Sequence, residues 1–173
     1  MGSTTAIRSP IASSSERRVI ESLVKLFGGL SSAAKAASAF RGLLKGKKGD
    51  LRALLEEIKE NQGLCWLVIE RGTDPAKVIP AFSTQEYDRL LKQGFNFNAL
   101  KRKKIPVHPE HAGTELAAFA GKETGDLLVN IYDKIKELRR IQRVDAANPK
   151  IRWRPRIISL QKRLLLLMRH LRG

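Results

Sequence analysis

The sequence has little of several features on which particular functions depend. It contains one cysteine, Cys65, so it can form neither an intrachain disulfide nor a cysteine-based zinc site. No apolar stretch approaches the roughly 20 residues that a membrane-spanning helix needs. The N-terminus lacks the apolar segment of a secretory signal. We therefore expect a cytoplasmic protein.

Acidic residues are scarce, and their shortage is uneven along the chain. Lys and Arg number 33 against 17 Asp and Glu, which gives a formal net charge of +16 and an isoelectric point near 10.5. The excess lies in residues 19–49, in residues 98–109 and in residues 149–173, and the last two contain no acid. Because neutralising a polyanion releases its counterions, such a charge favours nucleic acid, acidic lipid or acidic protein as partner.

Apolar residues recur at helical spacing along most of the chain, which predicts an all-α protein. Helices are expected over residues 16–30 with an interruption at Gly28-Gly29, and over 31–45, 50–72, 83–94 and 114–143, with a short element from 74 and a last helix opened by Pro155. Cys65–Ile69 is short, apolar and β-branched at its end, so a strand is an alternative for this stretch. We predict one bundle of four to five amphipathic helices over residues 16–148, preceded by a flexible polar tail over 1–15. Residues 149–173 are predicted to form a basic arm and helix packed on the bundle.

Polar residues at helix starts support these boundaries. Ser13 with Glu16, and Ser83 with Glu86, have the spacing of a capping box. Asp50 and Asp74 are predicted N-caps, because a short polar side chain there can accept from the free N–H groups of the first turn.

The strongest indication of function is the run from Lys150 to Arg156, in which arginines alternate around Trp153 and end at a proline. Arginine suits phosphate through its planar fork of donors, and an exposed tryptophan can stack on a base. The alternative is that Trp153 packs into the bundle. The predicted nucleic-acid contacts are Lys47, Lys48, Lys101, Arg102, Lys103, Lys104, Lys150, Arg152, Trp153, Arg154, Arg156, Lys162, Arg163 and Arg169.

Phosphate contacts give affinity without reading sequence, and no zinc-finger, leucine-zipper or RNA-recognition pattern is present. We therefore predict an accessory protein that binds the backbone of RNA or DNA, single-stranded or duplex, within a larger nucleoprotein complex. A homo-oligomer is neither required nor excluded. The alternative is a module for membrane surfaces or acidic proteins, because residues 19–48 and Leu164–Leu167 are apolar over much of their helices. A core role for both stretches is preferred, so a membrane partner is not expected.

No motif in the sequence strongly indicates a metal site, a phosphate-binding loop or a cofactor site. His108 and His111 flank Glu110 in a proline-bounded loop, but with no fourth ligand in view we predict no metal site. The string from Gly121 to Thr124 departs from a phosphate-binding loop, since Leu116 and Glu123 stand where that motif needs glycine and a hydroxyl residue. No cofactor is predicted, and an enzyme is not the favoured interpretation.

One pair of residues supplies a second alternative. Arg163 and His170 share a face of the last predicted helix, with six residues between them. This spacing resembles the Arg-x(4–6)-His motif of HEPN-type ribonucleases, which are small helical bundles. The resemblance implies that Arg163 and His170 would cleave RNA, usually across a dimer. Leu164 departs from the polar residue that often follows the arginine in that family.

Overall fold

The computed structural model describes residues 14–173 except Gly46 and Lys48, and leaves aside the side chains of Ser15 and Glu16. Within these residues the protein is all-α, and no strand occurs. The helices are α1 Ser14–Phe27, α2 Ala33–Leu44, α3 Gly49–Arg71, α4 Pro75–Val78, α5 Gln85–Lys92, α6 Thr124–Asp145 and α7 Trp153–Arg172. Short 3-10 turns at Gly28–Leu30, Ile79–Ala81, Phe97–Leu100, Pro109–His111 and Ala117–Phe119 join them. The predicted helical bundle is confirmed. The predicted tail and the Ser13 cap fall almost wholly outside the described residues.

Helix α7 lies at the centre of the bundle. It packs against α3 and α6, and also against α1 and α2. Its residues Leu164–Met168 are at most 1% exposed, so this stretch is buried on every side. A helix that is apolar all round belongs in a core. The run that suggested a membrane-surface helix is therefore interior.

Two local ambiguities of the sequence are resolved. Helix α1 ends at Phe27 and Gly28 takes a φ of +46°, which confirms the predicted interruption. Such a backbone conformation strains residues that carry a Cβ. Cys65–Ile69 lies inside α3, which runs through Gly63 without a break, so the strand alternative is wrong.

The helix predicted over residues 114–143 was wrong at its start, since α6 begins only at Thr124. Gly121 has a φ of +76°, which lies outside the α-helical region, so no continuous helix runs from residue 114 through Gly121 into α6. Its N–H donates to the Ile105 carbonyl over 2.8 Å, and the Ile105 N–H donates to the Lys122 carbonyl over 2.9 Å. These two bonds tie the segment before α6 to the loop that follows Lys101–Lys104.

Of the predicted helix caps within the described residues, one forms and two do not. Asp74 caps α4 by accepting from the Ala76 N–H over 3.0 Å, as expected. Asp50 lies in the first turn of α3, which begins at Gly49, and pairs with Arg89 at 2.6 Å instead. The Ser83–Glu86 capping box does not form, because the N-cap residue of α5 is Thr84.

A buried carboxylate from another helix takes over the capping of α5. Glu57 on α3 is 4% exposed. Its Oε2 accepts from the Ser83 hydroxyl over 2.7 Å and from the Glu86 N–H over 2.8 Å. Its Oε1 accepts from the Tyr87 N–H over 3.1 Å and from the Tyr132 hydroxyl over 2.8 Å. One side chain therefore joins α3, α5 and α6.

Candidate functional site

The basic loop Lys101–Lys104 lies against the last turn of α7. The Lys101 amino group donates to the His170 carbonyl over 2.6 Å, and the Thr124 hydroxyl donates to the Lys101 carbonyl over 2.7 Å. A cation at this end of a helix also interacts favourably with the helix dipole. Two segments that are about 70 residues apart in sequence are thereby fixed side by side.

A concave surface of about 290 Å³, here called the basic groove, forms between these two segments. It is lined by Lys101, Lys103, Lys104, Pro106, His108, Arg169, His170 and Gly173. None of these side chains is acidic. Lys103 and Lys104 are exposed, and no carboxylate of the described residues forms an ion pair with either. Their charge is available to an anion from solution.

Arg169 forms the boundary between the basic groove and a second, larger cavity. It donates to the Leu26 carbonyl over 3.2 Å and forms an ion pair with Glu110. The second cavity, of about 590 Å³, lies between the end of α1 and the end of α7, and Lys25 and Arg172 also line it. The pKa of Glu110 is lowered by a backbone hydrogen bond and then by Arg169, so this carboxylate is ionised at neutral pH.

His108 contributes the least satisfied polar atom of the groove. Its side chain is 14% exposed, and its Nε2 is buried without a hydrogen-bond partner among the described residues. Burial lowers its pKa, and the nearby Arg169 and His111 lower it further, while Glu110 opposes them. His108 is therefore neutral at neutral pH, and its enclosed Nε2 can bond a ligand only if the side chain shifts.

His108 and His111 lie close together, with ring centroids 5.0 Å apart. His111 is 3% exposed, and its Nε2 lies 3.3 Å from the Leu26 carbonyl. Across the described part of the chain, no three His, Cys, Asp or Glu side chains converge in a way that could hold a metal ion.

The pair that resembles the ribonuclease motif is interior. The Arg163 side chain is 8% exposed, and its guanidinium bonds the Asn130 amide oxygen at 2.8 Å, the Ser159 carbonyl at 2.9 Å and the Glu115 carboxylate at 2.9 Å. Arg163 therefore cannot contact phosphate without breaking these bonds, so its position does not favour the predicted nucleic-acid contact.

His170 is 3% exposed, and its Nε2 lies 2.9 Å from the Thr124 hydroxyl. Burial, followed by the charge of Lys101, lowers its pKa. With both side chains enclosed, the geometry gives Arg163 and His170 structural roles and offers no support for cleavage of RNA.

The segment from Lys150 to Arg156 differs from the extended arm that was expected. Helix α7 begins at Trp153, whose side chain is half-buried against the core, as the alternative interpretation held. Arg154 donates to the Ile69 carbonyl over 3.3 Å, and Arg156 pairs with Glu137 at 3.1 Å. Lys150 and Arg152 remain exposed.

The predicted contacts therefore divide between separate surfaces. Helix α7 has 20 residues and is about 30 Å long, and this length separates Lys150 and Arg152 from the basic groove. Arg102 is exposed beside the groove, whereas Lys162 and Lys47 are half-buried elsewhere. Lys48 lies outside the described residues. Sequence reasoning missed His108 as part of the groove, because its loop carries no charge pattern that points to Arg169.

The chain matches no protein-family model, and comparisons with curated proteins and with solved structures found no significant match. In the described part of the chain, every helix is too short or too polar to cross a membrane. The function is therefore inferred from the residues of the groove and from their charges.

Proposed function

We propose that this protein binds the phosphate backbone of RNA or DNA through the basic groove. The observation that carries the proposal is the gathering of Lys101, Lys103, Lys104 and Arg169 on one concave surface whose lining has no acidic side chain. Lysine and arginine make charge-assisted hydrogen bonds to phosphate oxygens, and each contact releases counterions from the polyanion. Backbone binding of this kind requires no base contacts.

Two exposed cations at the other end of α7 offer a second, separate point of contact. Lys150 and Arg152 lie about 30 Å from the groove, and successive phosphates of one duplex strand are about 3.4 Å apart along the axis. A strand of about nine nucleotides or more is therefore long enough to span the length of α7. We expect the protein to act as an accessory subunit that holds such a strand for other components of a nucleoprotein complex.

The test is binding of labelled single-stranded RNA, single-stranded DNA and duplex DNA across a salt series. The matched variants are a double change of Lys103 and Lys104 to Gln and a double change of Lys77 and Lys92 to Gln. The second pair is also exposed but does not line the groove, so the loss of net charge is the same. Losing two phosphate contacts should lower the log–log salt slope by about 1.4 for a single strand. The control pair should change the slope little.

Two results would contradict this proposal. One is an absence of binding to all three nucleic acids at low salt. The other is an equal loss of affinity in the two double variants, since general charge and not the groove would then govern binding. Anionic liposomes serve as the comparison polyanion. The large apolar side chains exposed among the described residues are Val24, Leu91, Val107, Val129 and Val144. Only Val129 and Val144 share an element, and they lie 15 residues apart on α6, so no observation favours a membrane surface.

A further inference from the structure

We infer that the basic groove selects a terminal phosphate monoester at the end of a nucleic-acid strand over an internal phosphodiester. This inference rests on the proposed function, and it names the chemical group that the groove takes. It is carried by the groove's size and by the cationic side chains that line it from both walls.

The size of the groove suits one end group. Pockets for small molecules usually measure about 300–1,000 Å³, and the basic groove, at about 290 Å³, is just below the lower limit of that range. The loop Lys101–Lys104 forms one wall, and the last turn of α7 forms the other. Such a space accommodates a phosphate with its sugar, whereas an internal phosphate must bring a strand in on both sides.

The charge of the groove also favours a monoester. A phosphate monoester carries about −1.5 to −2 at neutral pH and presents three acceptor oxygens, while an internal diester carries about −1 and presents two unbridged ones. The amino groups of Lys103 and Lys104 come from the loop, and the guanidinium of Arg169 comes from α7. Donors from two walls can therefore bond all three oxygens of a monoester, which a diester cannot offer.

His108 also lines the groove, but its Nε2 is enclosed and reaches a ligand only after a shift of the side chain. A buried polar atom without a partner is costly, and most such atoms in folded proteins are satisfied by protein or water. The neutral imidazole of His108 carries one N–H, and with this hydrogen on Nε2 the ring can donate to a phosphate oxygen. A ligand that accepts this bond satisfies an atom that the described residues leave unpaired.

Glu110 opposes anion binding from the far side of Arg169. Its carboxylate holds the Arg169 guanidinium and lies 4.0 Å from Nδ1 of His108. Removing this charge with Glu110→Gln frees Arg169 for the ligand and removes a repulsion. The variant should therefore bind a terminal phosphate more tightly than the wild-type protein does, by several-fold.

The experiment compares, by fluorescence anisotropy, three single strands that share one core sequence. One has about twelve nucleotides and a 5′-phosphate. Another has hydroxyl groups at both ends, and the last also has hydroxyl ends but is one nucleotide longer. The longer strand matches the number of phosphates in the phosphorylated strand through an added internal diester. A 3′-phosphorylated version tests the other end. One added charge-assisted hydrogen bond corresponds to about tenfold in affinity, so at least one phosphorylated strand should bind about tenfold tighter than the longer hydroxyl strand.

The double change of Lys103 and Lys104 to Gln should reduce this preference to near unity, and the Lys77 and Lys92 pair should keep it. Circular dichroism of each variant checks that the fold is retained. Equal, salt-dependent binding of the phosphorylated and longer hydroxyl strands would overturn the inference and leave the proposed function standing. An absence of binding to every strand would overturn both. A preference that persists in the Lys103 and Lys104 variant would place the selective site elsewhere and overturn the assignment to the groove.

Discussion

The exchange of Glu57 for Gln tests whether one buried carboxylate holds α3, α5 and α6 together. Glu57 accepts four hydrogen bonds, and each of its two oxygens accepts one from a hydroxyl and one from a backbone N–H. The amide of Gln has nearly the same shape but replaces one oxygen by a donating NH₂. Whichever way the amide is oriented, that NH₂ faces either the Glu86 N–H or the Tyr87 N–H.

The loss of stability depends on whether each donor to Glu57 can reorient. The hydroxyl of Ser83 or Tyr132 can rotate and accept from the new NH₂, but a backbone N–H cannot turn away. One hydrogen bond to a charged acceptor is lost, which costs about 1.5–3 kcal/mol, and the stranded N–H costs about 1–3 kcal/mol more. The neutral amide is less costly to bury than the carboxylate, which offsets part of this sum. We expect a net loss of about 3 kcal/mol in the free energy of unfolding.

Urea unfolding at neutral pH, followed by circular dichroism, measures this loss. For a domain of this size about 3 kcal/mol corresponds to a fall of about 9 °C in Tm. Tyr132→Phe is the graded control, because it removes a single donor to Glu57 and should cost about 1 kcal/mol. A Glu57→Gln protein within about 1 kcal/mol of wild type would show that the carboxylate is not the acceptor on which α5 depends.

Three further predictions concern buried groups. Burial is the largest cause of the lowered pKa of His108, His111 and His170. Each histidine therefore takes up a proton on unfolding below the unfolded pKa of about 6.5, so stability is full above that pH and declines as the pH falls toward 5. Arg163→Lys should lower the free energy of unfolding by about 2–3 kcal/mol in urea titrations, because an amino group cannot reproduce the three-way fork of bonds. Burial raises the pKa of the Cys65 thiol, so thiol reagents should label it only when the protein unfolds.

Each of these three predictions has a control variant or a result that would contradict it. His111→Gln should flatten the decline between pH 7 and about 5, and an unchanged slope would contradict the assignment. Arg172→Lys, at an exposed position, should be neutral where Arg163→Lys is not. Rapid labelling of Cys65 in the native protein would show that α3 is less enclosed than its core position indicates.

The helical content of this protein could be predicted from spacing alone, because the period of apolar residues depends only on local geometry. The same reasoning placed the start of α6 too early. Leu116 and Phe119 fit a helical period, and both are buried, but they are held by a turn and a 3-10 segment. The hydrogen bonds between Ile105 and residues 121–122 impose that shape. No pattern within residues 114–123 reveals a partner in another segment.

The sequence by itself determined the all-α fold class, the excess of positive charge and the segments that carry this charge. The tertiary structure decided which of those cations face solvent. Arg163 is enclosed by Glu115, which lies 48 residues away, while Lys101 is fixed to a carbonyl 69 residues away and Lys103 and Lys104 stay free. Charge belongs to each residue separately, so composition reveals it. Burial and ion pairing depend on residues brought together from distant parts of the chain, so the basic groove can be identified only in the folded structure.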